Sequence, residues 1–225
     1  MFATTRLNTP LFNTPKISEV FLKYDKCHLI REIEMILLPK SAVTIISEND
    51  NVLEITTEEY CSVKPLYIDK RFVGKRDYVP NKRKVEMPTK ARLLKKIETL
   101  PNLTYVWGGN VLEGIPKLLK YYPPKKNLSP YDYLYSQLKG VDCSGLLYAL
   151  TNGSTLRNTS QIYTAYPEVS TLKPLDLLVW QGHMLITLPN NKVIESRQHD
   201  GMVISNLSVR LKQIEHHNPR YLRFL

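Results

Sequence analysis

The sequence predicts an α+β protein in two parts, a small β-barrel in front and a helix-then-antiparallel-sheet domain behind it. Three observations carry this. Over residues 1–79, short β-branched and apolar runs alternate with turn-prone residues, the pattern of a small barrel. At 142–150 an aspartate and a cysteine lead an apolar run with helical spacing, which stops at Asn152-Gly153. From Leu177 on, apolar strands are separated by Gln181-Gly182 and by the hairpin turn Pro189-Asn190-Asn191.

In chain order, the front strands are expected at 34–38, 42–46, 51–55 and 65–68, with turns at 39–41 and 47–51. Cys27 beside His28 reads as ordinary packing, because no further metal ligands are nearby. Charge and proline concentrate at 76–88 and mark the domain boundary. The division is then 1–80 barrel, 81–88 linker and 89–225 second domain. Residues 89–98 read as an amphipathic helix whose apolar face is Ala91, Leu94, Ile97 and Leu100, with Leu93 alongside. Two aromatics and two glycines follow in Tyr105-Val106-Trp107-Gly108-Gly109, where the glycines imply a tight turn or a close approach to the main chain. The stretch 111–140 carries Pro116, Pro123, Pro124 and Pro130 and is either a binding loop or a surface loop holding one helix, 131–138. Residues 156–160 read as a polar loop. Strands are expected at 177–180, 183–188, 193–196, 202–207 and 220–225.

Composition narrows the function classes. No apolar run reaches the length of a membrane span, and residues 1–16 lack the apolar core of a secretory signal. The expectation is therefore the cytoplasm, or export by a route the sequence does not advertise. The net charge of +10, from 31 basic against 21 acidic residues, suits an anionic partner such as a wall polymer, nucleic acid or membrane surface. No recognition-helix, zinc-finger or aromatic-interleaved basic pattern accompanies it, which argues against nucleic acid. Lys82-Arg83-Lys84 reads as solvated linker, and Lys125-Lys126 is the other basic cluster. Three cysteines, Cys27, Cys61 and Cys143, form no zinc spacing, and their odd number argues against a closed disulfide framework, so at least one thiol is free. Neither metal nor cofactor is called for.

The chemistry centres on Cys143. Asp142 is a good N-cap, which puts Cys143 in the first helical turn, where unpaired backbone N–H groups favour thiolate over thiol. The other reading is a buried structural cysteine. A nucleophilic cysteine needs a base, and that base needs a group to orient it. His183, just after Gly182 at the start of a strand, has the features of the base, although a histidine in an apolar strand is also commonly just packed. Across the hairpin, Glu195 falls within a residue or two of register with His183 and could fix its tautomer, or else face solvent.

Five segments in order, Tyr105-Val106-Trp107-Gly108-Gly109, Asp142-Cys143-Ser144-Gly145-Leu146, Arg157-Asn158-Thr159-Ser160, Lys173-Pro174-Leu175-Asp176-Leu177 and Gly182-His183, resemble the NlpC/p60 family of cell-wall cysteine peptidases. The β-rich front resembles the bacterial SH3 domain that precedes the catalytic domain in the family's γ-D-glutamyl-diamino-acid endopeptidases. The resemblance implies a papain-like fold over 89–225 behind an SH3-like barrel. It also implies a peptidoglycan DL-endopeptidase that cuts the γ-D-glutamyl–diaminopimelate bond of stem peptides or muropeptides. Cys143 would be the nucleophile, His183 the base, and Tyr105 would bond the tetrahedral intermediate beside the Cys143 N–H. Asp142, Ser144, Ser160 and Trp107 would contact substrate, with Arg157 supporting their loop. The chain departs from the family pattern in having Glu195 as third catalytic residue where histidine is usual. It also has Leu175 and Leu185 where glycines are usual, and a long 111–140 insertion. Two other readings use the same residues: a catalytically impaired wall-binding scaffold, and an amidase or acyltransferase.

Overall fold

The structure is a computed structural model that describes residues 1–21, 29–124 and 127–225; Cys27, His28, Lys125 and Lys126 lie outside the described residues. In chain order its elements are β1 (Phe2–Thr5), β2 (Thr9–Phe12), α1 (Ile17–Val20), β3 (Ile33–Leu37), β4 (Ala42–Asn49), β5 (Val52–Thr56), β6 (Leu66–Asp69) and β7 (Val73–Arg76). Then come α2 (Lys90–Glu98), β8 (Asn110–Val111), α3 (Lys117–Tyr121), α4 (Pro130–Ser136), β9 (Gly140–Val141), α5 (Cys143–Leu150) and α6 (Thr159–Ala165). The chain ends with β10 (Leu177–Trp180), β11 (His183–Leu188), β12 (Lys192–Arg197), β13 (Gly201–Asn206), α7 (Leu207–Ile214) and β14 (Arg220–Leu222). Two compact units form: Met1–Lys84 with Val106–Gly140, and Val85–Tyr105 with Val141–Leu225.

In the first unit, β1 to β7 make one antiparallel sheet in the order β3-β2-β6-β5-β4-β1-β7. The expected SH3-like barrel is corrected here: β3 and β7 end the sheet without pairing with each other, so it stays open. At the β3 edge, a side chain of β8 takes the place of a paired strand. The Ile36 N–H donates to Asn110 Oδ1 at 2.8 Å, and Asn110 Nδ2 donates to the Ile36 carbonyl at 2.9 Å. One side-chain amide thus satisfies both backbone groups of Ile36 and blunts the edge there. Strand formation follows burial alternation: Val43 and Ile45 of β4 and Leu53 and Ile55 of β5 point inward between more exposed neighbours.

The 111–140 stretch is neither a surface loop nor the holder of a single helix. Val111, Ile115, Leu118, Tyr135 and Leu138 are buried in one cluster with Phe12, Ile17, Ile33, Ile36 and Phe72, and the stretch holds both α3 and α4. Prolines punctuate its turns while its apolar residues complete the core, at a stabilisation of about 25 cal/mol per Å² of apolar surface buried. Polar anchors fix the path: Tyr122 Oη donates to Asp69 at 2.6 Å, and the Ile30 N–H donates to Tyr135 Oη at 2.8 Å. Tyr135→Phe leaves that buried N–H without its acceptor. The variant is expected to lose about 1–3 kcal/mol, read as a fall of roughly 5 °C in a thermal melt with unchanged far-UV circular dichroism. The paired glycines serve both roles foreseen for them. Gly108 has φ +69°, and a Cβ on Gly109 would sit 2.7 Å from the Gly140 carbonyl oxygen. Arg83 is half-buried with its guanidinium 3.5 Å from Glu59, so the 82–84 cluster is only partly solvated.

In the second unit, β13-β12-β11-β10-β14 form an antiparallel sheet. Helix α5 packs on β11 and β12, α6 on β10, and α7 on β12 and β13. Leu178, Trp180, Leu185 and Val193 of the sheet pack with Leu207, Leu211 and Ile214 of α7. The C-terminus of α5 is tied by α2, whose Lys96 Nζ donates to the carbonyls of Ala149 and Leu150 at 2.7 and 3.2 Å. The hairpin between β11 and β12 turns on Asn190 and Asn191, both at positive φ, with Ile186 opposite Ile194. Leu175 also has positive φ, 76°, a conformation that disfavours a side chain. Its burial to 3% exposure and the hydrogen bond from its N–H to the Thr187 carbonyl hold it there. The fold is thus a mixed α and β one, as expected, with a different front sheet and a re-partitioned middle.

Candidate active site

The start of α5 forms as its sequence requires. Asp142 is the N-cap, and its Oδ1 accepts from the Gly145 N–H at 2.7 Å. Arg157 lies alongside, 3% exposed, with NH1 donating to Asp142 Oδ1 at 3.0 Å and NH2 to Oδ2 at 2.6 Å. NH1 also donates to Ser144 Oγ at 2.9 Å. Asp142, Ser144 and Arg157 therefore form a buried polar network that fixes the first turn of the helix.

Cys143 is the first residue of α5, free and 7% exposed. Its sulfur lies 3.7 Å from Thr159 Oγ1, the first residue of α6. The imidazole of His183, the first residue of β11, lies close enough to the same sulfur for it to favour the charged ring. His183 Nε2 is 2.8 Å from Glu195 Oε2. Continuing the hairpin register from Ile186 and Ile194 sets Glu195 opposite Leu185, one diagonal step from His183 on the same face of the sheet. Glu195 has a fully buried side chain. Arg210 on α7 takes its two oxygens, Nε to Oε1 at 2.7 Å and NH2 to Oε2 at 2.9 Å.

The electrostatics follow from these contacts. Burial disfavours a charged His183, but the Cys143 sulfur and the Glu195 carboxylate outweigh it and push the imidazole up to about 9. Burial likewise opposes ionised Glu195, yet His183 and Arg210 hold its carboxyl below the usual range. The Trp180 ring tilts against His183 with centroids 5.0 Å apart, and His217 stacks on Trp180 at 5.4 Å.

The structure thus brings Cys143, His183 and Glu195 into one connected chain. Tyr105 is buried, and its backbone bridges Val141, two residues before Cys143. Ser160 is exposed at the second position of α6, and Thr159, which sequence reasoning passed over, is the neighbour that touches the sulfur. Arg210 was also missed. Trp107 belongs to the first unit, 37% exposed under the Arg31 guanidinium at 5.5 Å. Among the described residues, no group of three His, Cys, Asp or Glu side chains could hold a metal ion, and no helix is long and apolar enough to cross a membrane.

No sequence family model matches this chain, and no curated protein matches it. Solved structures similar to it include an NlpC/P60 family protein from Bacillus cereus ATCC 10987, at 14% identity and TM-score 0.46, covering 100% of this chain and 63% of that one. The peptidoglycan hydrolase RipB from Mycobacterium tuberculosis matches at 20% identity and TM-score 0.43, covering 60% of this chain and 64% of its own. NlpC1 from Trichomonas vaginalis matches at 12% identity and TM-score 0.40, over 99% of this chain and 69% of that one. The chain spans less than two thirds of the length of the first two. At these identities and scores, none of the three carries an argument about the chemistry of this chain.

Proposed function

We propose that this chain is a cysteine peptidase of the NlpC/P60 kind. Its reaction is hydrolysis of the γ-D-glutamyl–diaminopimelate bond in peptidoglycan stem peptides. The observation that carries the reading is the connected series Cys143–His183–Glu195, with its sulfur at the start of a buried, capped helix. Such a series supplies a nucleophile, a proton carrier and an orienting group, the minimum for acyl transfer through a thioester.

The steps balance on these residues. A His183 ring charged at neutral pH stabilises an adjacent sulfur anion, which attacks the γ-carbonyl carbon of D-glutamate. The carbonyl electron pair moves to oxygen, and that oxyanion is met by the Cys143 backbone N–H at the helix start and by the Tyr105 hydroxyl. Collapse expels the diaminopimelate amine, which takes the proton from His183. The now neutral imidazole accepts a proton from water, whose oxygen attacks the thioester and frees L-Ala-γ-D-Glu and the cysteine. Glu195 stabilises the imidazolium each time it forms. Asp142, Ser144 and Arg157 serve by shaping the helix start, and exposed Ser160 is open to the substrate backbone. The net charge of +10 favours approach to an anionic wall fragment.

The test is incubation of the full chain with L-Ala-γ-D-Glu-diaminopimelate and, separately, with intact wall, followed by mass spectrometry of the products. From the tripeptide, equal amounts of free diaminopimelate and L-Ala-γ-D-Glu are expected; from intact wall, new diaminopimelate amino ends on stems that keep L-Ala-γ-D-Glu. Absence of cleavage at this bond in both substrates overturns the proposal.

A further inference from the structure

We propose that Arg210 is a positioning residue of this site: its guanidinium grips both oxygens of Glu195 and sets the carboxylate at the angle from which it accepts from His183. The inference rests on the peptidase reading above and adds to it a residue on α7.

The argument starts from burial. Glu195 has no side-chain exposure, and an isolated carboxylate there is unfavourable unless both oxygens find charged or hydrogen-bonding partners. His183 offers one N–H, which satisfies Oε2 only. Arg210 contributes the rest in a planar fork, with Nε on Oε1 and NH2 on Oε2. Two parallel bonds fix the plane of a carboxylate where one would leave it free to rotate. The remaining lone pair of Oε2 then points at the imidazole.

The guanidinium is itself held. Arg210 sits on α7, whose first turn is capped by Asn206 accepting from the Val209 N–H at 3.1 Å. The helix packs Leu207, Leu211 and Ile214 against the sheet that carries His183 and Glu195. NH1 reaches Gln213 at 3.3 Å. The partner is thus delivered on a rigid element, as a ligand-orienting group must be.

Arg210 also divides the charge. Facing Glu195 alone, a charged His183 would form a closed ion pair and hold its proton against the leaving amine. The charged and titratable groups around His183 are Cys143 from α5, Glu195 from β12, Arg210 from α7, and His217 with neighbouring His216 from the turn Glu215–His217. Arg210 is the fixed cation among them. With it in place, Glu195 remains compensated in both protonation states of the imidazole.

The experiment compares the wild-type chain with Arg210→Gln, Arg210→Lys, Glu195→Gln and the Glu195→Gln/Arg210→Gln double variant. Each is assayed on the tripeptide across pH and checked by thermal melting. Arg210→Gln is expected to lower kcat about 10- to 100-fold with KM nearly unchanged, and Arg210→Lys to recover part of the loss. In the Glu195→Gln background the same change is expected to cost less than about threefold, because its route of action is gone. Equal losses in the two backgrounds, or a loss that only tracks the unfolded fraction, overturn the inference. Nuclear magnetic resonance titration of the His183 ring in the unliganded chain decides the point independently of turnover. Without Arg210 the Glu195 carboxylate that raises the ring is no longer aimed at it, so the ring titration is expected to move downward, whereas the bare loss of a nearby cation would move it upward. An unmoved or raised titration overturns the positioning role even in an active enzyme, and a lowered one upholds it even where the tripeptide is not cut.

Discussion

Replacing Cys143 with alanine is expected to lower release of diaminopimelate from the tripeptide by on the order of 10⁴-fold or more, the usual cost of deleting a nucleophile. The fold is expected to survive, because the lost sulfur is small and Asp142 still caps α5. The melting temperature should therefore fall by no more than about 3 °C. Exposed Cys61 is the internal control, and Cys61→Ala should leave the rate unchanged. Alkylation gives an orthogonal readout. By exposure alone, iodoacetamide would modify Cys61 before the buried Cys143. Faster loss of the Cys143 thiol at neutral pH means that His183 and the helix start activate it. Undiminished cleavage by Cys143→Ala would end the peptidase reading.

The second large effect is on stability. Arg157→Met removes both bonds from the guanidinium to Asp142 and the one to Ser144, while the carboxylate stays 12% exposed beneath the helix. Breaking one side of a buried ion pair strands the other charge, at about 3–5 kcal/mol. For a chain of this size that amounts to roughly 10 °C in melting temperature, measurable by calorimetry. The double variant Asp142→Asn/Arg157→Met is expected to regain part of this, since asparagine can cap the helix without a charge to compensate. A melting temperature for Arg157→Met within about 2 °C of wild type would show that Asp142 finds its compensation elsewhere.

Much of the second unit was legible in the sequence because its signals are local. Asp142 reads as a cap, and Asn152-Gly153, both at positive φ, as a stop. The turn at 189–191 sets a register that carries Glu195 to within a diagonal step of His183. What escaped depends on partners distant in the chain. Residues 202–207 alternate like a strand, so Asn206 was not recognised as the cap of α7, although Leu207, Leu211 and Ile214 share one helical face. Arg210 went unnoticed with it. Thr159 hid inside a polar segment read as a loop, where Asn158 and buried Ile162 mark a helix start. The barrel was expected because short strands look alike whether or not their sheet closes. The β3 edge is met instead by Asn110, distant in sequence and ordinary in type. The prolines of 111–140 signal irregular backbone and give no hint that Tyr135 will be fully buried. At Leu175 a φ of 76° makes the leucine a residue held against its own backbone bias, which nothing in the local sequence announces.

The interleaving of the two units, 1–84 with 106–140 and 85–105 with 141–225, has a practical corollary for anyone who dissects the chain. A scissor cut near residue 85 frees neither half. The downstream piece would carry Val111, Ile115, Leu118, Tyr135 and Leu138 as a sticky appendage stripped of its host, and the upstream piece would be left with a hollow where they belong. On the ribosome, likewise, the leading sheet must wait until residue 140 emerges before its interior can be filled.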